Sequence, residues 1–193
     1  MANIRMYEET VSRDVIFEGR VVTLCVDKIK DCYGRDGSRE YIAHSGGVGI
    51  VALDAENNVF MIRQYRYGVS EVVLEIPAGK LERGEAPLEC GKRELTEETG
   101  YQAEEFIDLG VIFPTPAYDS ERIYIYLARG LTYVGQRFDA GEYLETERIP
   151  LEKAAGLVLS GEIKDAKTQI GLLKAKALLE SRDSARPPVL QSL

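Results

Sequence analysis

The chain has 193 residues, of which 45% are hydrophobic and 29% are charged, and its formal net charge is −8. This length suits one globular domain, or one domain with a small accessory piece. The acidic balance argues against nucleic-acid binding, because phosphate contacts need a basic surface. No run of about 18 apolar residues is present, so no transmembrane helix is expected.

The cysteines and the N-terminus indicate the compartment. Cys25, Cys32 and Cys90 are odd in number and form no CxxC pair, which argues against a disulfide framework and against zinc. The first ten residues, MANIRMYEET, are charged and lack the apolar core of a signal peptide. These features predict a cytoplasmic protein without a membrane partner.

The first 46 residues are predicted to form an N-terminal β arm. Residues 11–17 and 21–29 are rich in β-forming side chains, and Glu18-Gly19-Arg20 breaks the run between them. The cluster at 33–37, which contains Asp-Gly, predicts a hairpin turn, with residues 39–44 as the returning strand.

The rest of the chain mixes strands and helices, which predicts an α+β fold or a sandwich of helices on a mixed sheet. Strands are expected at 48–53, 59–65, 72–76, 106–113 and 123–127. Helical spacing predicts helices at 151–159 and 165–181, and in the second of these Ile170, Leu173 and Ala177 are expected to share the apolar face. Residues 183–193 contain two prolines and are predicted to be a flexible tail.

The central stretch, residues 79–101, is predicted to contain a helix that carries the chemistry. Pro87 suits the first turn of this helix, and Gly100 suits the left-handed position after its last turn. Glu94, Glu97 and Glu98 share one helix face at i, i+3 and i+4. Like charges at this spacing destabilise a helix, as do anions near its C-terminus. The arrangement therefore predicts bound cations, and the oxygen-only ligands favour Mg²⁺ or Mn²⁺.

The same stretch matches a known signature. It reads GKLERGEAPLECGKRELTEETGY, in which Gly79 is followed after five residues by Glu85 and, after seven more, by RELTEETGY. This resembles the Nudix box, the signature of the Nudix hydrolases, with every defining position filled. The resemblance implies the Nudix fold, an α/β/α sandwich with a mixed sheet, for residues 47–182 after the arm.

The resemblance also implies a divalent-metal site. The ligands that it implies are the carboxylates of Glu94, Glu97 and Glu98, with Glu85 as an outer ligand or water-holder and a carbonyl at Ala78 or Gly79. Arg93 lies on the same helix and is grouped with Glu97 among the catalytic residues. We expect it to act by orienting Glu85 or Glu94 through a salt bridge.

A general base is expected outside the box. In relatives the base is often a Glu from a later loop, and Glu142, in the acidic segment DAGEYLE, occupies a comparable place. Glu142 has an alternative interpretation as a solvated charge at a strand edge, and Glu145 is the second candidate. The lone histidine, His44, lies in the arm, which directs base chemistry to a carboxylate.

A second resemblance indicates the substrate. The segments TPAYDSER (around Pro116), LEIPAG and GEIKDAKT are similar to those of the ADP-ribose pyrophosphatases, a Nudix subgroup. This implies hydrolysis of ADP-ribose to AMP and ribose 5-phosphate, with Arg66, Glu82 and Pro116 as substrate-binding residues. Arg63 is expected to be a solvated strand-end residue, and Glu82 could equally be exposed. Ala117 departs from the pattern, which usually has Gly.

The subgroup resemblance further implies a domain-swapped homodimer, in which the arm reaches the partner's substrate pocket. Two alternatives stay open. The first is a pyrophosphatase of GDP-mannose or of another nucleotide sugar. The second is a non-catalytic Nudix-fold ligand sensor, although such sensors tend to lose the box carboxylates that this chain retains.

Overall fold

A computed structural model describes residues 6–136 and 143–184 of the protein. The predicted tail, 183–193, therefore lies almost wholly outside the described residues. The chain divides into two compact units. The first runs up to Gly46 and includes Phe113–Arg122, and the second comprises Gly47–Ile112 and the chain from Ile123 onward.

Ten strands and three helices lie within the described residues. The strands are β1 (Glu8–Glu18), β2 (Thr23–Asp31), β3 (Asp36–Ala43), β4 (Gly47–Ala52), β5 (Asn58–Arg66), β6 (Glu71–Glu75), β7 (Ala78–Lys80), β8 (Tyr101–Ile112), β9 (Ile123–Tyr133) and β10 (Leu144–Pro150). The helices are α1 (Pro87–Thr99), α2 (Leu151–Leu159) and α3 (Ala166–Ser184). None of these helices combines the length and the apolar character that a bilayer crossing needs.

The first unit is built on an antiparallel sheet in the order β1-β2-β3, which confirms the predicted arm of strands. The hairpin between β2 and β3 is present, but its turn comes earlier in the chain than predicted. The carboxylate of Asp31 accepts hydrogen bonds from the backbone N–H groups of Tyr33 and Arg35, at 2.9 and 3.0 Å, and Gly34 has a φ of 78°. Asp36, predicted to lie in the turn, instead pairs with Lys30 as the start of β3.

The loop Phe113–Arg122 packs on the arm within the first unit. The N–H of Ile42 donates to the carbonyl of Tyr118 at 2.8 Å, and the N–H of Ser120 donates to the carbonyl of Ile42 at 3.0 Å. Among the described residues other than glycine, a positive φ occurs at Asn57 and Ser70. Ala117 therefore turns without the left-handed conformation that Gly would favour at that position.

The second unit contains a four-stranded mixed sheet in the order β7-β4-β9-β8. Strands β4 and β9 are parallel, and the other two pairs are antiparallel. A separate antiparallel sheet has the order β10-β5-β6. Strands β7 and β10 were not predicted, because β7 has only three residues and β10 (LETERIP) is too polar to show an apolar alternation.

Helices cover both faces of the mixed sheet. Along β4, Ile50 belongs to a core cluster with Cys90 and Leu95 of α1. Its neighbour Val51 belongs to a different cluster, with α2 and with residues such as Leu172 of α3. Successive side chains of a strand point to opposite faces, so α1 lies on one face and α3 on the other. This confirms the predicted α/β/α sandwich.

The buried face of α3 differs from the predicted one. Ile170 and Leu173 are 37% and 39% exposed, whereas Leu172 and Ala175 are fully buried. A Cβ on Gly171 would lie 3.0 Å from Cγ2 of Val51, so the glycine lets the helix backbone approach the sheet closely. The small residues Gly171 and Ala175 thus select the packing face.

Candidate active site

Helix α1 carries the acidic stretch, and both of its predicted ends are confirmed. Pro87 is its first residue, where a missing backbone N–H costs nothing. Gly100 follows its last residue with a φ of 79°, and its N–H donates to the carbonyl of Thr96 at 2.9 Å. These ends place the glutamates of the second half of the helix on one half-buried surface.

Arg93 binds three of the candidate carboxylates. Its Nε donates to Oε1 of Glu85 at 2.9 Å, and its Nη1 donates to Oε1 of Glu94 at 2.8 Å and to Oε2 of Glu97 at 2.9 Å. The bond from Arg93 lowers the pKa of Glu85 to about 2, and the same contacts raise the pKa of Arg93 above its usual value. The guanidinium therefore offsets the repulsion that the helix spacing creates.

Glu98 lies at the buried end of the same surface. It is only 4% exposed, and its Oε2 accepts a hydrogen bond from the N–H of Ala78 at 2.9 Å. Ala78 begins β7 and pairs with Gly49 of β4. A short strand at the edge of the mixed sheet thus orients the carboxylate of Glu98.

Gly79 lies in direct contact with Glu94. A Cβ built on Gly79 would lie 1.8 Å from Oε1 of Glu94, a distance at which two atoms cannot coexist. The backbone φ of Gly79 is not in the left-handed region, so the need for glycine here is purely one of space. The chain keeps a glycine in β7 to make room for a carboxylate of α1.

The donor chemistry of this surface fits a hard divalent cation. All the candidate donors are oxygens, and the hollow beside Gly79 is filled by a carboxylate rather than by a side chain of β7. Within residues 6–136 and 143–184, no three His, Cys, Asp or Glu side chains are grouped in a metal-binding arrangement. The carboxylates are held instead by the Arg93 guanidinium, which contacts Glu85, Glu94 and Glu97, and by the Ala78 N–H at Glu98.

Comparison with known proteins assigns the family. Residues 43–169 match the NUDIX domain, and this range covers well over half of the chain. The chain belongs to the Nudix family. The predicted box is therefore a true family signature, and the protein is a Nudix hydrolase.

Two relatives and one solved structure resemble this Nudix hydrolase along most of its length. An ADP-ribose pyrophosphatase of Bacillus subtilis (strain 168) is 34% identical over 91% of this chain and 97% of its own. A methanol dehydrogenase activator of Bacillus methanolicus is 36% identical over 86% and 90%. The crystal structure of an ADP compounds hydrolase has a TM-score of 0.79 over 91% of this chain and 95% of its own, at 21% identity, which shows the shared fold.

The predicted substrate residue Arg66 is paired with a buried carboxylate in this Nudix hydrolase. Its Nε and Nη2 donate to the two oxygens of Glu75 at 2.6 and 2.9 Å. Burial opposes the charge of Arg66, but the bonds to Glu75 raise its pKa overall. Arg63 is half-exposed and pairs with Glu147 at 2.6 Å, so it is an ion-paired strand residue rather than a purely solvated one.

The remaining substrate and base candidates are Glu82, Pro116, Glu142 and Glu145. Glu82 is exposed, and its backbone N–H donates to Oε2 of Glu85 at 3.0 Å. Pro116 belongs to the first unit. Glu145 is an exposed residue of β10, and Glu142 lies outside the described residues. These assignments stay predictions.

Sequence reasoning missed three residues that support the site: Glu75, Lys167 and Thr168. Each lies inside a segment that resembled the pyrophosphatase subgroup, LEIPAG or GEIKDAKT, which was the available signal. What the sequence lacked was the contact between these segments, which are about ninety residues apart in the chain.

Proposed function

We propose that the chain hydrolyses the pyrophosphate bond of a nucleoside diphosphate sugar, with ADP-ribose converted to AMP and ribose 5-phosphate. The observation that carries this proposal is the set of box carboxylates gathered by Arg93 beside the buried Glu98. So acidic a surface suits a reaction in which cations lie between the protein and a diphosphate. The choice of ADP-ribose is supported by the name of the Bacillus subtilis relative.

A divalent ion, Mg²⁺ with Mn²⁺ as the alternative, would be held by this surface. The proposed ligands are Glu94, Glu97, Glu98 and a carbonyl of Ala78, with Glu85 as an outer ligand. When bound, such an ion neutralises phosphate charge and makes a water molecule more acidic.

The chain's own side chains have separate roles in the proposal. Arg66 binds a phosphate of the substrate through charge-assisted hydrogen bonds. Arg93 positions the carboxylates that it contacts. Glu142 accepts a proton from the attacking water, while the pyrophosphate oxygen leaves with the second phosphate. Glu145 is the alternative base.

We also propose that the arm, residues 1–46, forms a domain-swapped homodimer. The apolar residues Val11, Val15 and Phe17 of β1 are each more than half exposed, which leaves a surface for a second copy to cover. Light scattering after gel filtration tests this. A dimer that Phe17→Glu converts to a monomer is expected, and a monomeric wild-type protein would exclude the swap.

The reaction is tested by a phosphate-release screen of nucleotide sugars with Mg²⁺, coupled to a phosphatase that acts on the products. ADP-ribose is expected to be the best substrate, with GDP-mannose as the principal competitor. Activity confined to nucleoside triphosphates would overturn the subgroup assignment. Tight binding of ADP-ribose without product would indicate the ligand sensor instead.

Two substitutions test the assigned roles. Glu98→Gln keeps an oxygen that can accept the bond from Ala78 but removes the charge, so turnover should fall by about 10²-fold or more while the fold is retained. Glu89→Gln, on the exposed side of α1, is the control. Glu142→Gln should lower kcat with little effect on substrate affinity. If Glu145→Gln is the damaging change, Glu145 is the base.

A further inference from the structure

A cavity of about 330 Å³ lies beside Arg66 in the second unit, and charged side chains line much of it. Its polar lining residues are Arg66, Glu71, Glu75, Lys164, Asp165 and Lys167. Glu75 is only 2% exposed, although it is a carboxylate. A buried carboxylate needs paired charges and hydrogen bonds, so its partners are part of how the site is built.

Glu75 joins Arg66 to the start of α3. It accepts two hydrogen bonds from Arg66, at 2.6 and 2.9 Å, and a further bond from Nζ of Lys167. Lys167 is itself held by Oδ1 of Asp165 at 3.0 Å. A guanidinium carries five N–H groups, and Glu75 takes two of them along one edge. Holding Glu75 in place therefore determines which edge of Arg66 is presented to a phosphate.

Thr168, the next residue, makes a second connection. Its backbone N–H and its hydroxyl both donate to Oδ2 of Asp165, at 2.9 and 2.6 Å. Its Oγ1 also accepts a hydrogen bond from the N–H of Ile76 at 2.9 Å, at a position where Thr168 is fully buried. The hydroxyl thus uses both its donor and its acceptor capacity.

The segment that Thr168 holds leads directly to the box carboxylates. After Ile76, the carbonyl of Pro77 accepts from the N–H of Ile50 at 2.8 Å, and the N–H of Ala78 donates to Glu98 at 2.9 Å. Each of three consecutive residues is therefore tied to a different element. A shift at Ile76 would be transmitted within two residues to Glu98.

We propose that residues 165–168 are a two-branched positioning element of the active site. Lys167 holds Arg66 through Glu75, and Thr168 holds the Ile76–Ala78 segment that orients Glu98. The proposal rests on the proposed function, in which Arg66 meets the substrate and Glu98 meets the cation. The GEIKDAKT segment would then help to position both the substrate residue Arg66 and the metal ligand Glu98.

The two branches predict different defects. Lys167→Met should raise KM for ADP-ribose about tenfold, the size expected for a misplaced charged hydrogen bond, and should leave kcat and the affinity for Mn²⁺ within about twofold. Lys167→Arg, which keeps a cation beside Glu75, should restore most of the loss. Lys164→Met is the matched control, because Lys164 lines the same cavity but pairs with Glu71 at 2.7 Å.

Thr168→Val should instead change the affinity for Mn²⁺ and kcat, the two quantities that Lys167→Met leaves nearly unchanged. It removes the hydroxyl at nearly constant volume, so the affinity for Mn²⁺, measured by electron paramagnetic resonance without substrate, should fall about tenfold. The value of kcat should fall with it, and Thr168→Ser should restore both. If Thr168→Val does not fold, Asp165→Asn weakens the contacts of both Thr168 and Lys167, so in a folded protein it should lower Mn²⁺ affinity and also raise KM for ADP-ribose.

Direct titrations separate this proposal from the proposed function. If the wild-type protein does not cleave ADP-ribose, the function fails, and calorimetric binding of ADP-ribose together with Mn²⁺ affinity still tests the two branches. If Lys167→Met and Thr168→Val only lower the melting temperature, with unchanged KM and Mn²⁺ affinity, the segment has a structural role alone and the proposal is overturned. Equal effects of Lys164→Met and Lys167→Met on KM would also contradict it.

Discussion

Gly79 and Glu94 occupy adjoining space so closely that a Cβ on the glycine would lie 1.8 Å from Oε1 of the glutamate. The two residues lie on different elements, β7 and α1, at the mixed sheet's edge. Their contact explains a glycine whose φ would accept any residue. The space beside β7 at this position is therefore too small for any side chain while the Glu94 carboxylate occupies it.

Gly79→Ala should damage activity more than stability. The atoms that a new Cβ would meet belong to the carboxylate end of the Glu94 side chain, which can rotate away, so the fold should be retained. Displacement of this carboxylate should lower kcat at least tenfold. Gly156→Ala in α2 is the control, because no heavy atom lies near its Cβ position, and it should stabilise the protein by about 0.5–1 kcal/mol. Urea denaturation and steady-state kinetics measure both. Wild-type behaviour of Gly79→Ala would show that Glu94 can move without consequence.

Arg93→Lys should destabilise the protein, although the charge is kept. An ammonium group cannot reproduce the planar fork that contacts Glu85, Glu94 and Glu97, and the lost bonds to charged groups are each worth about 1.5–3 kcal/mol. Added Mg²⁺ should recover part of the loss if it binds as proposed, because the ion would then supply positive charge to the same carboxylates. Denaturation with and without Mg²⁺ checks this.

The neighbouring Lys92 supplies the comparison for Arg93. It forms an exposed pair with Glu89 at 2.8 Å, and such pairs contribute less than about 1 kcal/mol. Lys92→Met should therefore have little effect with or without Mg²⁺. If Arg93→Lys is equally mild, the Arg93 contacts do not stabilise the site.

Adjacent leucines of α3 should respond very differently to truncation. Leu172→Ala empties a fully buried position and should cost about 2–5 kcal/mol, whereas Leu173→Ala, at 39% exposure, should cost less than about 1 kcal/mol. Thermal or chemical denaturation of the two variants gives the comparison. A larger loss of stability for Leu173→Ala than for Leu172→Ala would support the buried face that was predicted from the sequence.

The arm should show a pH dependence that depends on Asp27. Two hydrogen bonds from Arg13, both 2.9 Å, lower the pKa of Asp27 from its ordinary value of 3.8. The folded state therefore binds this proton less readily than the unfolded state does. The resulting stabilisation is present above about pH 4 and is lost as the pH falls through the lower pKa of the folded state.

Asp27→Asn tests this pH dependence. The variant should be less stable than the wild type at pH 7, and the difference between them should shrink as the pH falls below about 4. Asp36→Asn is the comparison, since the Lys30–Asp36 pair is exposed. Chemical denaturation at several pH values measures the difference. A difference independent of pH would mean that Asp27 acts through packing rather than through its charge.

The sequence predicted those helices and strands whose ends or periodicity are visible in their own residues. Helix α1 has a proline start and a glycine end, and both were visible in the sequence. Strand β7 has no such signal, because its three residues become a strand only by pairing with β4. Strand β10 is likewise defined by its partner β5, which its alternating charges do not reveal.

In the candidate site, too, contacts within one segment could be predicted from the sequence, whereas contacts between distant segments could not. The shared face of the box glutamates follows from spacing along one helix, and the sequence also led to the expectation that Arg93 forms a salt bridge with Glu85 or Glu94. The pairing of Arg66 with Glu75 and Lys167 depends on β5, β6 and α3 meeting in three dimensions. In α3, apolar residues occur around much of the helix, so periodicity alone could not choose between Leu172 and Leu173.

The bond from Ile76 to Thr168 joins residues 92 positions apart. During synthesis on the ribosome, the parallel pair β4–β9 can form only after Ile123–Tyr133 has emerged, and Thr168 emerges about 35 residues after Tyr133. The box helix can therefore be complete while the segment beside Glu98 is not yet held. Among the helices of the described residues, α3 is the last to be made, so a nascent chain would gain the hydrogen bond that holds the segment beside Glu98 only after α3 has begun to form.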